Sequence, residues 1–290
     1  MSNNEREPVI SSAAAVTDTG RVRNNNEDFV AYRVPEQTTR EAAFGSLFIV
    51  CDGVGGGVSG EVASGQAGRC ILKAYYTGRV DQPPPARLLD AIRQANHEVY
   101  QMNREQPEGR RMTTTVVAAV VQGARLFLAH TGDSRAYLIS AAQITPVTRD
   151  HSWVAELVRS GDLTQAEAEA HPWRNRITRA LGMKESAEVE ERTIELAQRD
   201  IILLCSDGLT RHVEEGEILD VVTHHAVPEA AQRLVDLANQ RGGMDNISVV
   251  IAALLPAESA GEDAQMDPQR KQQISAAVSS NGPSDPNRGR

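Results

Sequence analysis

Hydrophobic residues come in short runs of strand length, separated by tight polar turns and interleaved with longer stretches whose apolar positions recur at helical spacing. Phe44 to Cys51, Thr113 to Val121, Arg125 to His130, Ala136 to Ile139, Asp200 to Cys205 and Ile247 to Leu254 are rich in Val, Ile, Leu and Phe and predict strands. Gln122-Gly123 and Gly132-Asp133 divide consecutive runs, and such short turns favour antiparallel hairpins over parallel crossovers. Helical spacing predicts helices over about 60–76, 86–104, 151–160, 164–170, 214–224 and 228–241. Thr164 with Glu167 forms a capping-box start, and Pro228 suits a first helical turn. Strands and helices come in blocks, so the class is α+β.

Two apolar runs end alike. Leu47 to Cys51 delivers Asp52-Gly53, and Ile201 to Ser206 delivers Asp207-Gly208, with glycine turning the chain after each aspartate. Asp133 follows the run ending at His130, and Asp245-Asn246 precedes the run from Ile247. Asp-Gly is also a common turn pair, so each aspartate alone reads first as a plain turn. As a group they would sit at the edge of a core, where clustered carboxylates are costly to ionise without a cation. Oxygen donors without a Cys or His cluster suit Mg²⁺ or Mn²⁺ better than Zn²⁺. Spacing alone leaves turns and metal site both open. Arg23, four residues before the acidic pair Glu27-Asp28, could put a planar fork beside a bound oxyanion, or belong to a polar turn.

The chain has 290 residues, room for one large domain or two smaller ones, and a net charge of −9, which speaks against nucleic acid or an acidic membrane as partner. No stretch reaches the roughly 18–20 apolar residues of a membrane span, and the start lacks the pattern of a signal peptide. Cys51, Cys70 and Cys205 read as buried, reduced thiols, which together with the missing signal predicts a cytoplasmic protein. Residues 1–7 are expected to fray. Residues 257–290, poor in large apolar side chains, are expected to form a disordered tail around a domain spanning 8–256.

Gly20-x-x-Arg23-x-x-Asn26-Glu27-Asp28, Asp52-Gly53-x-Gly55-Gly56, Gly132-Asp133-Ser134-Arg135, Ser206-Asp207-Gly208 and Asp245-Asn246, in this order, resemble the metal-dependent protein phosphatases (PPM, or type 2C, serine/threonine phosphatases) in their short bacterial form. His171-Pro172 through Asn175, Ile177-Thr178-Arg179 and Leu181-Gly182 extend the resemblance, which runs from about Val9 to Leu255.

The resemblance implies a four-layer α-β-β-α sandwich, two antiparallel sheets flanked by helices. It implies hydrolysis of phosphoserine and phosphothreonine in proteins by metal-activated water, with two or three Mn²⁺ or Mg²⁺ ions, opposing a bacterial serine/threonine kinase. Asp52 would bridge two metals, Asp207 and Asp245 would complete the first, and Gly53 would lend its carbonyl to the second. Glu27 and Asp28 would act through water, Asp133 with Asp207 would hold a third ion, and Arg23 would bind the substrate phosphate. Val54 stands where animal members often carry a proposed general-acid histidine, so that role is unassigned; His130, His151 and His171 read first as structural. Arg149 to Gly182 resembles the family's flap, a mostly helical insertion in which Trp153, Trp173, Arg174 and Arg176 could meet a substrate protein, or the tryptophans could pack the flap onto the domain. The glycines from Gly53 to Gly60 lack the Lys-Ser/Thr ending of a P-loop. Rival readings are a catalytically inactive scaffold of the same fold that binds phosphoproteins, and a phosphatase for a small metabolite.

Overall fold

The structure, a computed structural model, describes residues 10–254 except 37, 56–58, 105 and 108–110. The expected frayed start and disordered tail lie outside the described residues. Strands are β1 (Ile10–Asp18), β2 (Asp28–Arg33), β3 (Ser46–Val54), β4 (Thr113–Thr114), β5 (Val116–Gln122), β6 (Arg125–Thr131), β7 (Arg135–Ser140), β8 (Gln143–Pro146), β9 (Glu190–Glu195), β10 (Ile201–Cys205) and β11 (Ile247–Leu254). Helices are α1 (Ser59–Thr77), α2 (Pro84–Arg104), α3 (Trp153–Ser160), α4 (Gln165–Glu169), α5 (Asp207–Thr210), α6 (Glu215–His224) and α7 (Val227–Gln240).

One sheet has the order β1-β11-β10-β7-β8 and the other β2-β3-β5-β6-β9, with β4 beside β3. Every pairing is antiparallel. The strands are apolar on both faces because both faces are covered. Alternate residues of β3, Phe48 and Val50, meet Leu204 and Val250 of the facing sheet, while Leu47, Ile49 and Cys51 pack on Ala67, Ile71 and Ile92 of α1 and α2. On the other side Leu203, Cys205, Val249 and Ile251 pack on Ile218, Ala231 and Leu234 of α6 and α7. These three apolar seams separate four layers, the expected α-β-β-α sandwich.

The strand expected over 113–121 is broken: Thr114 pairs with Gly53 in β4, and the backbone N–H of Thr115 turns to the Asp52 carbonyl at 2.8 Å. β1, β2, β8 and β9 were not among the predicted strands; their burial is mixed because β1, β8, β2 and β9 edge the two sheets. The Thr164–Glu167 capping box and Pro228 in the first turn of α7 are present as expected. All three cysteines are buried and unpaired, and burial pushes the Cys70 and Cys205 thiols up to about 12, away from nucleophilic use. Among the described residues no helix is long and apolar enough to cross a membrane.

The segment 149–182 is less helical than expected, since only α3 and α4 are helix and turns fill the rest. Of its two tryptophans, Trp173 does not pack the segment onto the domain. Trp173 is 54 % exposed and stacks edge-on against Trp153 of the same segment, with His171 beside both and Arg176 over its ring. What fixes the segment is its base: Trp153 N–H donates to the Arg176 carbonyl, Thr178 N–H to the His151 carbonyl, and His151 N–H to the Gly132 carbonyl.

Candidate metal centre

The seam between the sheets is apolar through its middle and polar at one end. Followed two residues at a time, the inward columns run Val30 to Asp28, Phe48 and Val50 to Asp52, Val117 to Thr115, Ala136 to Ser134, Leu204 to Ser206, Val250 to Ser248, and Ala15 to Thr17. Strand register puts all these polar termini on the same rim: Asp28 lies opposite Asp52, Cys205 opposite Arg135 and Val249, and Thr17 opposite Ser248.

Hydrogen bonds then tie the rim across the two sheets. Ser206 Oγ donates to Asp28 Oδ2 at 2.8 Å and accepts from Ser248 N–H at 3.0 Å. The Thr115 and Ser134 hydroxyls meet at 2.7 Å, and Thr115 Oγ1 also accepts from Asp52 N–H. Asn246, 4 % exposed, is the pin for the 19–27 loop: its Oδ1 accepts from Glu27 N–H and its Nδ2 donates to the carbonyls of Thr19 and Asn25. Gly53 and Gly60 are needed for closeness, since a Cβ on Gly53 would stand 2.2 Å from the Gly60 carbonyl oxygen and 2.5 Å from that of Glu27. Part of the glycine-rich loop between them, residues 56–58, lies outside the described residues.

The structure thus brings Glu27, Asp28, Asp52, Gly53, Asp133, Asp207 and Asp245 together, and Arg23 joins them through a 3.0 Å ion pair from Nη2 to Asp245 Oδ2. Burial first, and then mutual repulsion, works against ionisation. Asp28 is pushed up to about 7, by burial and by Asp207 and Asp245 against two serine hydrogen bonds. Asp133 is pushed up to about 8 by burial, Asp207 and Asp150. Asp52 rises well above the usual carboxylate range through burial and its neighbours Asp28, Asp207, Asp133 and Asp245. Asp28 Oδ1 is buried with no hydrogen-bond partner. Carboxylates packed so closely, one with an orphaned oxygen, fit divalent cations with oxygen preference, which would satisfy the lone pairs and offset the repulsion.

A second cluster, His130, His151 and Glu190, has metal-ligand residue types within 4.8 Å of one another. His130 Nδ1 is buried with no hydrogen-bond partner, but the hydrogen bonds of the other two residues run against that use. Gly132 N–H donates to His151 Nδ1, so Nε2 carries the ring proton and gives it to Glu190 Oε2 at 3.3 Å. A cation at Nε2 would drive that proton to Nδ1, against the Gly132 N–H. Glu190 already has Arg192 on its other oxygen; burial pushes its carboxyl up, but His151, His130 and Arg192 outweigh that and hold it at about 2. His130 and His151 stack at 4.8 Å, and burial with the His151 ring lowers His130 to about 4. This is a structural knot at the base of the 149–182 segment.

That base touches the rim. Leu181 bridges to Thr114, whose hydroxyl donates to the Asp52 carbonyl at 2.9 Å, and His151 is bonded to Gly132, next to Asp133. Two residues to which the sequence motifs give no role stand out here. Asn246 is the loop pin, and the Arg211 guanidinium pairs with Asp207 Oδ2 and, at 3.1 Å, with Asp245 Oδ2. Asn246 belongs to the Asp245-Asn246 motif, whereas the sequence signal of Arg211 is only its place four residues after Asp207. Asn246→Ala is expected to cost about 1–3 kcal/mol of stability by stranding buried backbone groups, measured by urea denaturation, with Asn246→Asp not rescuing because the Nδ2 donor is lost.

A family profile for protein phosphatase 2C matches residues 13–247. Protein phosphatase PhpP of Streptococcus pneumoniae is 34 % identical over 242 residues, 82 % of this chain and 96 % of that protein. The crystal structure of the Mycobacterium tuberculosis serine/threonine phosphatase PstP/Ppp superposes with a TM-score of 0.74 at 36 % identity, covering 84 % of this chain and 99 % of the other. The catalytic domain of PstP in complex with two manganese ions gives a TM-score of 0.70 at 34 % identity, over 84 % of this chain and 98 % of that one.

Proposed function

The chain belongs to the protein phosphatase 2C family, and we propose that it removes phosphate from phosphoserine and phosphothreonine in proteins at the carboxylate rim between its sheets, with Mn²⁺ or Mg²⁺ as cofactor. The observation that carries this reading is the convergence of Asp28, Asp52, Asp133, Asp207 and Asp245 at one end of the seam, each raising or sharing in the cost of its neighbours' charge. Divalent ions held there would supply an acidified water as nucleophile and positive charge to the phosphoryl oxygens.

The roles of this chain's own groups follow from their places. Asp52, central to the repulsion, would hold two ions; Asp207 and Asp245 would complete the first and the Gly53 carbonyl would face the second. Asp133 with Asp207 would hold a third. Glu27, 8 % exposed and raised by burial, and Asp28 would orient bound waters. Arg23 stands on a loop laid against residues 243–245, through hydrogen bonds from Arg21 and Val22 N–H to the Gly243 carbonyl. Its side chain is 48 % exposed, so one edge of the fork reaches outward to phosphate while the other stays on Asp245. Val54 is exposed at 41 % and offers no proton, and His130 and His151 are locked in the knot, so leaving-group protonation falls to solvent ordered by the carboxylates.

An inactive scaffold would have lost part of this constellation, and none is lost. A cytoplasmic place and a partner serine/threonine kinase whose sites it clears complete the proposal, with a single catalytic domain over 8–256. Arg23→Ala is expected to raise KM for a phosphothreonine peptide about tenfold or more with no loss of Mn²⁺ affinity by calorimetry. Loss of Mn²⁺ binding instead would assign Arg23 to the metals. Equal rates on free phosphoserine and on phosphoprotein would shift the substrate class to metabolites.

A further inference from the structure

Arg211 has no part in the reading above, yet its guanidinium pairs with two of the clustered carboxylates. It follows α5 directly, with its N–H bonded to the Asp207 carbonyl at 3.0 Å. One end of its fork holds Asp207 Oδ2 and the other reaches Asp245 Oδ2 at 3.1 Å. The same Asp245 oxygen takes Arg23 at 3.0 Å, but among the described residues Arg23 bridges to no second carboxylate, and it is more exposed, 48 % against 29 % for Arg211. Arg211 also feels the charges of Asp52 and, in turn, stabilises the charge of Asp133.

A carboxylate oxygen shares its lone pairs between donors. A guanidinium bonded across Asp207 and Asp245 and a divalent ion on the same oxygens therefore compete, and each adds positive charge that repels the other. We propose that Arg211 is a built-in counter-cation of the metal centre: it neutralises Asp207 and Asp245 and must yield them to an incoming ion, which sets metal affinity low and ties activity to metal supply. The inference rests on the metal-centre reading. Arg211 acts here through Asp207 and Asp245, as a positioning residue.

The test is Mn²⁺ titration by calorimetry, with thermal unfolding in EDTA and in excess Mn²⁺, on the full chain and on Arg211→Ala and Arg211→Lys. Arg211→Ala is expected to bind Mn²⁺ on the order of tenfold more tightly, to melt at lower temperature in EDTA, and to gain more from Mn²⁺. Arg211→Lys, which keeps a point charge without the fork, is expected to fall between the two. A structural role alone would lower the melting temperature in both conditions and leave the Mn²⁺ affinity equal or weaker, and that result overturns the proposal. If Arg211→Ala does not fold, the Arg211→Lys affinity decides by the same signs. Failure of the wild-type protein to bind Mn²⁺, with Asp52→Asn indistinguishable from it, would instead bring down the metal-centre reading, and the proposal with it.

Discussion

Asp52→Asn is expected to reduce kcat/KM for a phosphothreonine peptide by about 10³-fold or more, with the folded structure intact. Asp52 ends the column Phe48–Val50 inside the seam, and its backbone is held independently of its carboxylate, by Thr115 Oγ1 on its N–H and by Thr114 Oγ1 and Thr115 N–H on its carbonyl. Amide for carboxylate keeps size and position while removing the charge that four neighbouring aspartates oppose. Without metal the variant should therefore melt no lower than the parent, because one source of repulsion has gone. Activity on a peptide and melting in EDTA separate the outcomes. Unfolding, with activity lost only in proportion, would make Asp52 a structural residue.

The pH dependence of stability should invert on adding metal. In the metal-free fold Asp28 titrates at about 7 and Asp133 at about 8, and Asp52 is raised too, each through burial first and then neighbouring carboxylates. In the unfolded chain an aspartate releases its proton near 3.9. Between those values the folded state holds protons that the unfolded state has lost, so this contribution to stability is full below the unfolded value and disappears as pH rises through 7 and 8. Glu190 and Glu217, held down at about 2, act with the opposite sign only at acid pH, and His130, lowered by burial to about 4, does so up to about pH 6.5. Cation binding needs the carboxylates ionised, so stabilisation by Mn²⁺ should grow across the same range. Melting from about pH 6.5 to 8 should fall in EDTA and hold or rise in excess Mn²⁺. Parallel curves in the two conditions would remove the link between these carboxylates and a cation.

The sandwich was legible where the physics is local. Runs such as Leu47 to Cys51 and Ile201 to Cys205 are apolar at every position because sheet and helices cover both faces, and they announced central strands. Edge strands were invisible for the converse reason: Glu190–Glu195 alternates buried and exposed with charged residues, and only Leu126 and its neighbours in β6 make it a strand. The gathering of Asp52 and Asp207 was readable from their positions at strand ends. That Asp28 joins them depends on β2–β3 register, which the short run Phe29 to Tyr32 after it does not reveal. The signal that could have revealed the whole rim is the period of two, by which inward columns end on Asp28, Asp52, Thr115, Ser134, Ser206 and Ser248. Arg211 and Asn246 were not legible as functional, since their importance lies in what they touch across the chain: Asp245 for one, the carbonyls of Thr19 and Asn25 for the other. Whether Trp173 packs onto the domain or faces outward was not legible, because exposed aromatics and core aromatics look alike in sequence.

Diffraction from crystals soaked in Mn²⁺, measured at the manganese absorption edge, tests the metal centre most directly. The expected result is a set of anomalous peaks that share Asp52, one of them also bound by Asp207 and Asp245 and the other facing the Gly53 carbonyl. Peaks absent from this rim, or a peak only at the His130–His151–Glu190 knot, would contradict it.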